Sequence, residues 1–187
     1  MREYTLARGP GSDDQLWLVE HPPTYTLGQA GLRSHIHDPG DIPVVHSDRG
    51  GQVTYHGPGQ AILYTLIDLP RRGLGVKALV STLEQAVIEV LAGYRIDARR
   101  RPGAPGVYVD DAKVASMGLR VRRGRSYHGV AINVSMDLEP FQRINPCGYP
   151  GLRVTQIADL GGPIDSREVG RQLARILNRL LDRQLME

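Results

Sequence analysis

Apolar side chains at Val76, Leu79, Val80, Leu83, Val87, Val90 and Leu91 recur at a spacing that an α-helix gathers onto one face. The pattern predicts a helix over residues 76–91, with Gly93 as its stop. A second stripe, Val169, Leu173, Ile176, Leu177, Leu180 and Leu181, follows Asp165. It predicts a final helix that starts at Asp165, with Glu168 as a capping-box partner. Elsewhere the runs are shorter. Residues 15–20, 43–47 and 61–69 read as strands, the first ended by His21-Pro22-Pro23. Between the last two lies a loop carrying Gly50, Gly51, Gly57 and Gly59. Residues 106–109, 113–121 and 127–134 read as a meander turned at Asp110-Asp111 and Arg123-Gly124. Strands come in groups and helices stand apart, which favours α+β over a doubly wound sheet. No repeat, low-complexity segment or linker divides the chain.

The 187 residues fit one domain with a real core, and 41% hydrophobic with 23% charged residues is ordinary for a soluble globular protein. No apolar run has membrane-spanning length, and Met1-Arg2-Glu3-Tyr4 has no signal-peptide pattern, so no membrane partner is expected. A reduced, cytoplasmic protein is the default expectation. The net charge is +3 and the isoelectric point about 9.2. Arginines cluster at Arg99-Arg100-Arg101 and at Arg120, Arg122, Arg123 and Arg125. Their ordinary reading is solvated loop and edge-strand charge; their functional reading is attraction of an acidic partner. Nucleic acid is not expected, since no binding motif is present and aromatics make up only 5%.

Cys147 is the sole cysteine, set in Asn145-Pro146-Cys147-Gly148, where proline and glycine force a bend. One thiol makes neither an internal disulfide nor a cysteine-based metal site, which leaves a packing role or a nucleophile. Three further segments bear on that choice. Arg49-Gly50-Gly51-Gln52-Val53-Thr54-Tyr55-His56-Gly57-Pro58-Gly59-Gln60 has glycines that let backbone approach a ligand, yet it is neither GxGxxG nor a P-loop. A glycine-rich hairpin explains it equally well. No metal is expected, because the histidines and aspartates at 35–41, His46 and His56 show no metal spacing. Lys113 is either a strand-end lysine paired with Asp110 or Asp111, or a desolvated lysine tuned for proton transfer. His128 is either a partner for Cys147, as in cysteine hydrolases, or a residue that shapes the site.

Taken together, Arg49 to Gln60, Lys113-Val114-Ala115-Ser116-Met117-Gly118, His128-Gly129-Val130-Ala131-Ile132-Asn133 and Asp137-Leu138 through Asn145-Pro146-Cys147-Gly148 resemble the lipoyl(octanoyl) transferase family. Glu20-His21-Pro22-Pro23-Thr24-Tyr25-Thr26-Leu27-Gly28 is similar to that family's early motif. The resemblance implies a mixed β-sheet flanked by helices, similar to the catalytic domains of lipoate and biotin protein ligases. It implies transfer of an octanoyl or lipoyl group from acyl carrier protein to a lysine of a lipoyl domain, the first step of protein lipoylation. The acceptors it implies are lipoyl domains of 2-oxoacid dehydrogenase E2 subunits and the glycine cleavage H protein, with no cofactor. By the same resemblance Cys147 is the acyl-thioester nucleophile and Lys113 its activating partner. The substrate pocket would draw on Arg49, Gly50, Gly51, Gln52, Val53, Thr54, Tyr55 and His56, on Ser116, Met117 and Gly118, and on Gly129, Val130 and Ala131.

In one respect the chain departs from the family, whose members open with an amphipathic helix. Here Tyr4-Thr5-Leu6 runs at once into Gly9-Pro10-Gly11-Ser12, so residues 1–187 read as a single catalytic domain with that helix absent or truncated. Backbone amides near Gly118 or Gly148 are the expected oxyanion donors. Rival readings are an ATP-dependent ligase on the same fold, a binding module for an acidic carrier, and a cysteine hydrolase. The ligase would need no cysteine nucleophile, and the chain has no GRGRxG motif.

Overall fold

The computed structural model describes residues 1–9 and 11–183; Pro10, in the expected N-terminal break, lies outside them, as do residues 184–187. The chain opens with a short helix, α1 (Arg2–Ala7). Nine strands follow: β1 (Gln15–Val19), β2 (Thr24–Leu27), β3 (Val44–His46), β4 (Val53–His56), β5 (Gln60–Leu66), β6 (Arg99–Arg101), β7 (Ala104–Val109), β8 (Ala112–Arg122) and β9 (Arg125–Asn133). Helix α2 (Val76–Gly93) separates β5 from β6, and α3 (Ser166–Arg183) ends the described chain. The expected α+β organisation is present, but the strands divide between two sheets. One is antiparallel with order β1-β5-β9-β8-β7-β6. The other is small and mixed, with order β3-β2-β4, β2 pairing parallel to β3 and antiparallel to β4.

Both long helices cover one face of the large sheet. Leu79, Leu83, Val87, Val90 and Leu91 of α2 and Val169, Leu173, Leu177 and Leu181 of α3 bury against Ala61, Leu63, Val130 and Ile132. Strand alternation sends Ile62, Tyr64, Gly129 and Ala131 to the opposite face, and these line a cavity between the two sheets. Every apolar position predicted for α2 is buried or half-buried except Val76, which is exposed at the first turn. At α3 the Asp165 carboxylate caps the amides of Arg167 and Glu168. The capping box is not closed, because Glu168 turns outward to Arg171 and Arg175.

Two strands lie where sequence patterning showed none. β2 is a four-residue run in a Pro- and Thr-rich segment, and β4 sits inside the glycine-rich loop. Their outer partner is a separate small core of Tyr25, Leu27, Ile36, Val53, Tyr55, Phe141 and Ile144. The arginines of β6 behave as edge-strand charge, Arg100 pairing with Glu84 and Arg101 with Asp111. Among the described residues no helix is long and apolar enough to cross a membrane.

Candidate active site

Cys147 and Lys113 meet at the cavity wall, with Nζ 3.1 Å from Sγ although 34 residues separate them. Backbone pairing closes that distance. Lys113 lies one residue inside β8, and its amide donates to Arg153 O while its carbonyl accepts from the amide of Thr155. The segment just after Cys147 is thereby fastened beside Lys113. Cys147 itself sits in a short turn, Pro146–Gly148, with φ 56° and ψ 17°. A non-glycine residue there costs about 1 kcal/mol, so the turn must be held from outside. Asn145 does the holding: its amide donates to His35 O and its side chain meets the rings of His35 and His37.

Lys113 is 3% exposed and has neither Asp110 nor Asp111 as a partner. Besides the thiol it donates to Pro105 O at 3.1 Å and lies 5.2 Å from the centroid of the Tyr108 ring. Burial works against its charge, but attraction to Cys147 and the contact with Tyr108 outweigh it, and the Lys113 pKa is raised above its ordinary value. Its stem needs a glycine across from it: a Cβ on Gly106, at φ 134°, would lie 3.0 Å from Lys113 Cε and 2.7 Å from Ala115 O. Glu84 of α2, itself buried, fixes that glycine by accepting its amide at 2.9 Å.

The cavity measures about 1000 Å³. Fourteen residues expected at the site divide as follows among its walls. Arg49, Gly51, Gln52, Val53, Thr54, His56, Ser116, Met117, Gly118, Gly129, Val130 and Ala131 line it beside Lys113 and Cys147. Tyr55 does not, because alternation along β4 turns its ring into the small core against Tyr25 and Phe141. Gly50 is also off the wall, its amide donating to Leu119 O. Of the backbone amides expected near Gly118 or Gly148 as oxyanion donors, that of Gly148 itself donates to Asn145 O at 2.9 Å.

Sequence reasoning passed over a polar row on the opposite wall. His21 Nε2 meets the Tyr64 hydroxyl at 2.5 Å, and its ring lies 5.8 Å from that of His56. His56 is held as one tautomer. Gln60 spends its Nε2 on Tyr55 O and Asn133 Oδ1, so its Oε1 accepts from His56 Nδ1 at 2.7 Å and leaves Nε2 bare. Desolvation drives the His56 pKa down to about 4, so the ring is neutral near pH 7. His128 is not bonded to Cys147; its Nε2 donates to Asp48 Oδ1 at 2.8 Å. Burial lowers its pKa despite that carboxylate. His21 and Gln60 lie within the quoted motifs but were given no role at the site, and no motif included Asp48 or Tyr64; non-local pairing brings all four together.

The sequence matches the lipoyl protein ligase A/B catalytic domain over residues 1–178. It is 66% identical over 174 residues to an octanoyltransferase of Alkalilimnicola ehrlichii, covering 93% of this chain and 81% of the relative. It is 59% identical over 182 residues to one of Pseudomonas entomophila, covering 97% and 85%. A lipoate-protein ligase A solved with ATP superposes with TM-score 0.81 at 18% identity, over 97% of this chain and 78% of that one. A biotin protein ligase of Aquifex aeolicus gives 0.58 at 15% identity, over 87% and 71%. These structural likenesses concern the fold. With the family match and the high identities, they place the chain in the lipoyl protein ligase A/B catalytic-domain family and, within it, among the octanoyltransferases, which are acyltransferases.

Proposed function

We propose that the chain moves an octanoyl or lipoyl group from the thioester of acyl carrier protein to a lysine of a lipoyl domain, through an acyl-thioester on Cys147. The acceptors are the lipoyl domains of 2-oxoacid dehydrogenase E2 subunits and the glycine cleavage H protein, and the reaction opens protein lipoylation in the cytoplasm. The observation that carries this reading is the 3.1 Å contact of Lys113 Nζ with Cys147 Sγ on the wall of a large, partly apolar cavity.

A nearby ammonium favours the thiolate, the form that attacks. The Sγ–acyl bond forms as the carrier's carbon–sulfur bond breaks, and the departing carrier sulfur takes the proton of Lys113. One thioester replaces another, so no activation by ATP is needed. Acylation removes the charge that raised Lys113 and leaves burial, which favours the neutral amine. Neutral Lys113 then takes a proton from the acceptor amine as its nitrogen attacks the acyl carbon. Cys147 leaves as thiolate and the ion pair is restored. Lysine and thiol titrate as a pair throughout.

Intact-mass spectrometry after incubation with octanoyl carrier protein tests the reading. Wild type is expected to gain an octanoyl adduct without ATP, and Cys147→Ala to gain none. An adduct that persists in Cys147→Ala overturns it.

A further inference from the structure

Arg49 is 9% exposed, and its guanidinium donates to Thr26 O at 2.6 Å, to Thr26 Oγ1 at 2.9 Å and 3.1 Å, and to Gly50 O at 2.9 Å. All of these acceptors are uncharged. Among the described residues no carboxylate forms an ion pair with it, which is unfavourable for a buried cation. Its chain neighbour Asp48 is committed elsewhere: Oδ1 accepts from His128 and Oδ2 from the Tyr127 hydroxyl.

That clasp requires an unusual backbone. Consecutive strand residues point to opposite faces, yet Tyr127 and His128 grip one carboxylate and stack their rings with centroids 5.1 Å apart. His128 achieves this with φ 61°, a left-handed conformation that is unfavourable for a non-glycine residue inside a strand. The Arg49 loop also abuts the cysteine turn, since a Cβ on Gly148 would lie 3.1 Å from Gln52 Cγ. Arg49 and Cys147 line the same cavity.

We propose that Arg49 is a second cation acting on the negative charge of the reacting centre, and that Tyr127 and His128 are positioning residues that keep Asp48 from neutralising it. The charge in question is that of the Cys147 thiolate and the thioester oxyanion, so the inference rests on the cysteine-nucleophile reading above. The other charged or titratable groups lining the cavity with Cys147 and Arg49 are Arg2, His21, His46, Asp48, His56, Tyr64, Lys113, His128 and Tyr149; Tyr108 lies beside Lys113, His35 beside the cysteine turn, and Arg2 faces Asp48.

The test is iodoacetamide alkylation of Cys147 in the full chain, read by intact mass as the ratio of the rate at pH 7 to that at pH 10. Arg49→Met is expected to lower this ratio about tenfold, the effect of roughly one pKa unit. Tyr127→Phe frees one Asp48 oxygen and is expected to lower it about threefold. Tyr127→Phe combined with Asp48→Asn should return the ratio to wild type, because the released side chain no longer carries charge. A merely structural role predicts no such recovery. An unchanged ratio in Arg49→Met overturns the cationic role, and a double variant no better than Tyr127→Phe overturns the positioning role. Should Arg49→Met fail to fold by near-ultraviolet circular dichroism, the Tyr127 pair decides both. Alkylation needs no acyl donor, so these outcomes are separate from loss of the acyl adduct, which would sink the proposed function alone.

Discussion

Replacing Lys113 by methionine keeps an unbranched stem of similar length in the slot beside Gly106 and removes the ammonium. At 3.1 Å and an effective dielectric near 20, the charge attraction lost is about 5 kcal/mol. Burial of the ammonium opposes part of that, while Pro105 O and the Tyr108 ring support it. If roughly half survives as net stabilisation, the attacking thiolate loses about 2.5 kcal/mol of support. The assay is single-turnover acylation by octanoyl carrier protein, quenched at intervals and read by intact mass. Lys113→Met should acylate about thirtyfold more slowly than wild type at pH 7, since an unassisted thiol is still a few per cent thiolate there, with the gap narrowing toward pH 10. Acylation within about threefold of wild type at pH 7 would refute the charge argument. Lys113→Arg separates the two roles, because it keeps the cation but cannot serve as a base. It should acylate faster than Lys113→Met yet stall at transfer to the lipoyl domain.

Three further outcomes follow from the geometry. The His56 pKa is depressed by desolvation to about 4, so as pH falls below 6.5 the unfolded ring gains a proton that the folded ring refuses. Wild type should therefore lose about 3 kcal/mol more than His56→Gln between pH 7 and pH 4 in urea titrations, and parallel curves would contradict this. Asp14 is shared by Arg8, Arg71 and Arg72, and Arg8 has a side chain only 1% exposed. Burial raises the Asp14 pKa but bonds to Arg72, the Asp68 amide and Arg8 lower it further, so its contribution is full above pH 3.8 and fades as pH falls through the folded value. Asp14→Asn should cost about 3 kcal/mol at pH 7 by urea denaturation, and a loss below about 1 kcal/mol would count against the cluster. Gly129→Ala would put a Cβ 2.0 Å from Leu63 O. Prising β5 from β9 should lower stability by about 3 kcal/mol, and calorimetry showing a melting point within about 2 °C of wild type would contradict it.

Much of the large-sheet half of the fold was legible in the chain. The 76–91 stripe became α2, the 113–121 and 127–134 runs became β8 and β9, and 61–69 became β5, each within a few residues. These elements bury long apolar faces, so periodicity survives in the sequence. In the small sheet only β3 was foreshadowed, by the 43–47 run; β2 and β4 left no such trace. β4 contributes only Val53 and Tyr55 to a core, and its flanking glycines read as loop. The cavity wall was expected from the family resemblance rather than from periodicity. Tyr55 and Gly50 fell outside it because strand alternation and one backbone bond, neither visible from composition, turned them away.

The sequence by itself determined the helices, the meander, a lone thiol on a bend and a lysine near paired aspartates, since local spacing and breaker residues act over a few positions. It left open whether that lysine would face solvent. Tertiary structure decided this, by pairing the Lys113 backbone with the segment at Arg153 and Thr155 and burying the amine against Sγ. Tertiary structure also decided the left-handed turns at Cys147 and His128. Neither residue type favours that conformation, so only contacts from distant segments, Asn145 to His35 and Asp48 to Tyr127 and His128, can hold it.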